Sequence, residues 1–100
     1  MEGARHILLI VQTDVAPEME EEFNRWYDEE HIPRLLKVPG VLMAKRGQNT
    51  GSGQKYIATY EHEDSEVQHT SDYKNAIETE WTRKIRPYLR NLHKSVYTIL

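Results

Sequence analysis

One hundred residues with 13 basic and 16 acidic side chains carry a net charge of −3, which excludes electrostatic attraction to nucleic acid or anionic membrane as the main business of the chain. There is no cysteine, so no disulfide framework and no thiolate chemistry; with no apolar run near the ~20 residues of a bilayer span, a cytoplasmic protein is expected. A chain of this length forms one domain, residues 1–100, with a modest core that association would enlarge.

Ile7 to Val11 is apolar on both alternating faces, as in a central strand covered on two sides. Asp14 to Glu18 reads as a helix start, with Pro17 in the first turn and Glu18, Glu20, Glu21 and Glu22 at the positive end of the helix dipole. Met19, Phe23, Trp26, Tyr27 and Glu30/His31 then recur at helical period on one face. Pro33 biases Ile32 away from helical geometry, so the regular helix should end there, with at most a short turn over Arg34 to Lys37. Val41 to Arg46 and Tyr56 to His62 alternate as strands around a loop rich in turn formers, Gly47 to Gln54. Ser65 to Asp72 is polar and should hold a short helical turn. A second long helix is expected from about Tyr73 to Leu89, with Tyr73, Ile77, Trp81, Ile85 and Tyr88/Leu89 inside and Pro87 kinking or ending it. Ser95 to Leu100 is the last strand.

The order β-α-β-β-α-β with right-handed crossovers gives an α+β ferredoxin-like sandwich: a four-stranded antiparallel sheet with both helices on one face. The other face, apolar on the first two strands, would stay uncovered in a monomer. A twofold dimer with the sheets face to face would cover it.

His31 is the leading candidate for chemistry. A neutral imidazole on an inward helix face can move a proton, or it can be a structural residue bonding the helix end. Tyr27, with a hydroxyl that needs a partner, and Trp26 share that face, and Asp28 lies one turn back, able to orient the ring. Arg46 could bind a carboxylate or phenolate at its strand end, or be a solvated charge. Tyr60 shares a face with Ala58 and His62 and could line a cavity; His62, between Glu61 and Glu63, reads as an exposed strand end. Trp81 reads as core. No His pair at helical spacing and no H-E-x-x-H speaks for a metal, and Gly51-Ser52-Gly53 leads into a strand, so it lacks the helix N-terminus of a phosphate loop.

Phe23-x-x-Trp26-Tyr27-x-x-x-His31-x-Pro33, followed by Val38-Pro39-Gly40-Val41 and a strand with Arg46, resembles the dimeric α/β-barrel superfamily, in particular its EthD-like members and their uncharacterised relatives. Glu80 to Pro87 is similar to the same relatives. The resemblance implies a homodimer with a pocket in each subunit between helices and sheet. It also implies a metal-free and cofactor-free enzyme acting on a small aromatic or polyketide-like compound, of cyclase, isomerase, decarboxylase or monooxygenase type. His31 and Tyr27 would be the catalytic pair, with Phe23, Trp26, Arg46, Tyr60 and Trp81 around the substrate. A non-catalytic ligand-binding or dimerisation module and a haem-binding or haem-degrading protein are the alternatives. An RNA-binding domain shares the element order, but the acidic chain lacks its basic surface and its strand-three motif.

Overall fold

The structure is a computed structural model that describes residues 5–100. Strands β1 (Ile7–Val15), β2 (Val41–Gln48), β3 (Tyr56–His62) and β4 (Leu89–Thr98) form one sheet in the order β2-β3-β1-β4, with every neighbour antiparallel. Helices pack on one face only. The order and the sheet are those of the ferredoxin-like sandwich expected from the pattern.

The first helical segment is built from four pieces. A 3-10 turn (Pro17–Met19) leads into α1 (Glu20–Trp26), a π-turn (Tyr27–His31) and α2 (Ile32–Leu35). The expected stop at Pro33 is therefore wrong. The π-turn moves the bonding of Ile32 N–H back to the Tyr27 carbonyl, five residues away, and Pro33 enters at the start of α2, where a missing N–H is harmless. Arg34 then donates to the carbonyls of Ala76 (2.9 Å) and Asn75 (2.8 Å), fastening α2 to the end of α3 (Ser71–Ile77).

The second long helix is not continuous. It breaks after Ile77, where Glu78 and Thr79 leave helical geometry, and restarts as α4 (Glu80–Ile85). Thr79 caps the new helix by accepting from Thr82 N–H at 3.0 Å. A 3-10 turn around Pro87 follows, and β4 begins at Leu89, six residues before the expected strand start. Near its start Asn91 takes a positive φ of 54°, a conformation asparagine tolerates better than most residues; its side chain donates to Asp14 at 2.8 Å.

On β1, Ile7, Leu9 and Thr13 are buried toward the helices, with Phe23, Leu35, Tyr60 and Ile85 at the centre of the core. A β-bulge between Val41 and Met43 changes which side chains of β2 face inward. Val41 is buried while Leu42 is 48% exposed, so Leu42 does not share the inner face with Ala44 and Arg46 as simple alternation predicts. His62, expected at an exposed strand end, is 1% exposed and packs edge-on against Tyr73 at 5.4 Å between ring centres, because it points to the helix side of β3. The segment after β3 packs against the turn before β2. Gly40 has a φ of 93°, and a Cβ there would meet Val67 of that segment. No helix among the described residues is long and apolar enough to cross a membrane.

Candidate active site

The helices do not reach across β4. Leu92 and Val96 line the helix-side gap yet stay 47% and 53% exposed. Behind them lies a cavity of about 440 Å³ between the sheet and the helices, within the roughly 300–1,000 Å³ typical of small-molecule sites. Leu9, Val11 and Tyr60 line it from the sheet, Trp26, Tyr27, His31 and Leu35 from the first helical segment, and Tyr73, Ile77, Thr82 and Ile85 from the second.

His31 owes its place to the π-turn. At 100° per residue an α-helix would set residues 26 and 31 well apart around the axis. The wider turn brings them together instead, and the two rings stack with centres 4.3 Å apart. Tyr27 meets the imidazole edge-on at 5.2 Å, and Tyr60 at 6.3 Å. Beneath the stack, Trp26 donates its indole N–H to Thr82 Oγ1 at 3.1 Å, and the Thr82 and Thr79 hydroxyls lie 3.0 Å apart. Thr79 in turn donates to Glu30 at 2.6 Å. A polar chain thus fastens the histidine-bearing segment to the helix break.

Two polar atoms of the cavity lining are buried without a hydrogen-bond partner: His31 Nδ1 and the Tyr60 hydroxyl. Unpaired buried polar groups cost on the order of 1–3 kcal/mol each, and these two lie in one largely apolar cavity where polar atoms of a ligand can pair with them; His62 and Trp81 carry further unpaired atoms outside it. Burial lowers the His31 pKa to about 4, helped by the positive charges of Lys94 and Arg86. The ring is neutral at pH 7. Burial also pushes the phenols up: Tyr73 to about 12, Tyr27 and Tyr60 in the same direction. The Tyr27 and Tyr60 hydroxyls are near enough to shift each other's acidity, but their geometry makes no hydrogen bond that would satisfy Tyr60. All three phenols remain protonated, as potential donors.

Other expected site residues lie elsewhere. Phe23 is fully buried in the core against Tyr27 and Tyr56 and does not line the cavity. Arg46 also lies outside it, 4.5 Å over the ring of Tyr27, and its guanidinium is occupied by Asp28 Oδ1 (2.9 Å) and Asn24 Oδ1 (2.6 Å). Asp28 therefore serves Arg46 and not the imidazole. Trp81 is partly buried at the edge of the core and lines a separate surface depression with Glu22, Glu30, Glu80 and Lys84, not the cavity. Lys94 and Arg86, by contrast, do line the cavity. Sequence reasoning missed both, because Lys94 falls before the expected start of the last strand. Among the described residues, no three His, Asp or Glu side chains gather closely enough to hold a metal ion.

A protein-family model described as Domain of unknown function (DUF4286) matches residues 6–97. The chain belongs to that family. No curated protein matches the sequence. Solved structures similar to this DUF4286 protein include an ethyl tert-butyl ether D (EthD) family protein from Bacillus halodurans, 19% identical with a TM-score of 0.68, covering 95% of this chain and 99% of the other. A provisionally assigned antibiotic biosynthesis monooxygenase from Bacteroides thetaiotaomicron is 20% identical with a TM-score of 0.69, covering 96% and 90%. A Pseudomonas aeruginosa protein is 16% identical with a TM-score of 0.71, covering 100% and 99%. These likenesses establish the fold of the DUF4286 chain as that of the dimeric α/β barrels, as its motifs imply, and leave its reaction to be argued from the site.

Proposed function

We propose that this protein is a small-molecule enzyme that needs no metal, acting on an aromatic or polyketide-like compound with His31 as general base. The observation that carries the reading is the pair of unpartnered buried polar atoms, His31 Nδ1 and the Tyr60 hydroxyl, in one largely apolar cavity. A neutral imidazole accepts a proton from a phenol, an enol or the carbon beside a carbonyl. The oxyanion formed in that step takes hydrogen bonds from phenols that stay protonated, Tyr60 first and Tyr27 beside it. The depressed basicity of His31 fits such a step: the imidazolium is disfavoured in the empty cavity and becomes stable once an oxyanion forms next to it. Cyclisation, isomerisation and cofactor-free oxygenation can all begin with this proton transfer; in a decarboxylation the C–C bond to the carboxylate breaks first, and the enolate left by loss of CO2 takes the same hydrogen bonds. Kinship of fold with an EthD family protein and a provisionally assigned monooxygenase supports the same range.

The proposal includes a homodimer through the uncovered sheet face, where Leu8, Ile10, Met43, Ile57 and Tyr97 alternate outward on the four strands.

Turnover of a panel of phenols and β-keto esters by wild type and His31→Gln tests the assignment. Loss of about 10²-fold or more in kcat with binding retained is expected for a general base. Ligand binding without turnover in wild type, or turnover unchanged in the variant, would make the cavity a binding site without this chemistry.

A further inference from the structure

The cavity has a charge pattern opposite to that of the chain. The protein carries 16 acidic and 13 basic side chains, yet among the described residues no carboxylate lines the cavity, while two cations, Lys94 and Arg86, do. Both are exposed, so they mark its open side. Lys94 stands mid-strand on β4 opposite Val11, between Leu92 and Val96 on an otherwise apolar wall. Among the described residues no carboxylate pairs with its ammonium. Arg86 donates to Glu78 at 2.7 Å, on the far side of the helix break, and that partner does not line the cavity.

We propose that the ligand of this cavity is an anion, an aromatic or ketide-like carboxylate, whose carboxylate meets Lys94 at the open side with Arg86 beside it, while its ring or chain enters toward Trp26 and its oxygen reaches Tyr60 and His31. The inference rests on the small-molecule reading of the same cavity and narrows it. Arg46, the anion receptor expected from the sequence, is committed to Asn24 and Asp28 outside the cavity, which leaves the role to the cations inside. A carboxylate at this place also completes the chemistry, because one anionic end held at Lys94 and Arg86 fixes which atom faces the imidazole. The field of the two cations already reaches His31, whose acidity both increase; neutralising them with a bound anion should relax that effect.

The test compares 4-hydroxybenzoate and 6-hydroxy-2-naphthoate with their methyl esters, by calorimetry and by NMR titration of His31. Wild type should bind the better-fitting acid about tenfold or more tightly than its ester, with the advantage falling as salt is added. Lys94→Gln should remove most of that advantage and leave ester affinity unchanged, and Lys94→Arg should keep it. The acid, but not the ester, should raise the His31 pKa. Esters that bind as tightly as the acids would overturn the inference while leaving the small-molecule reading standing. So would a preference for acid that survives Lys94→Gln, or acid binding that leaves His31 untouched. If neither acid nor ester binds, both readings fall together.

Discussion

His31 is a partly buried base whose Nδ1 is shut off from solvent, and this desolvation couples function to stability. The unfolded chain protonates this ring near 6.5 and the folded chain only near 4. Between those values the unfolded state binds more protons, so stability is full above pH 6.5 and is lost as the pH falls toward 4. The shift corresponds to roughly 3 kcal/mol, a large part of what a domain of this size possesses. Chemical denaturation of wild type from pH 7 to pH 4 should show a loss of that order, and His31→Leu should show a clearly smaller one. Asp14, Glu20, Glu22 and Glu78, each held below the usual carboxylate range by a hydrogen-bond partner, add an acid sensitivity at lower pH that the variant keeps. An identical pH dependence in both proteins would mean that His31 is solvated.

The π-turn and the break at Glu78–Thr79 decide which side chains reach the cavity. The chain from Trp26 through Thr82 and Thr79 to Glu30 ties these two irregular elements together. Thr82→Val keeps the shape and removes the acceptor of the buried indole N–H, so it should cost about 1–3 kcal/mol by thermal or urea unfolding. It should also weaken ligand binding, because the Trp26 ring supports the imidazole. A stability within ~0.5 kcal/mol of wild type would show that the indole finds another partner. The same two irregularities set the limit of what was legible in the sequence. Apolar periodicity located both helical regions and the four strands, and it put Trp26, Tyr27 and His31 on the inner face and Tyr60 on the inner side of β3. It is blind to neighbours: Phe23 shares the stripe but is sealed beneath Tyr56, and Arg46 is drawn away by Asn24 and Asp28. Trp81 keeps its place on the stripe with Ile85 and packs against the edge of the core, but periodicity does not reveal that it faces a separate depression and not the cavity. The early turn into β4 hid Lys94 and Arg86, and a single extra residue at the Val41/Met43 bulge reversed the expected face of Leu42.

For the molecule as a whole, the helix-free face of the sheet presents Leu8, Ile10 and Ile57, only partly buried, on its central strands. At about 25 cal/mol per Å² of apolar surface, covering such a face is a substantial gain for a domain with a small core. Sedimentation of the wild-type protein should give twice the 11.8 kDa chain mass, and Ile10→Glu should give the monomer or fail to fold. A wild-type monomer at micromolar concentration would leave the face to another partner.

The chemistry proposed for this protein requires His31 to belong to a working cavity. The most direct measurement is the NMR titration of its ring in the free protein and with a panel of phenolic and β-keto ligands, assigned against His31→Ala. A pKa of about 4 in the free protein that moves when a ligand binds is the expected result. An ordinary histidine pKa that no ligand shifts would contradict the account and make His31 a surface residue of the fold.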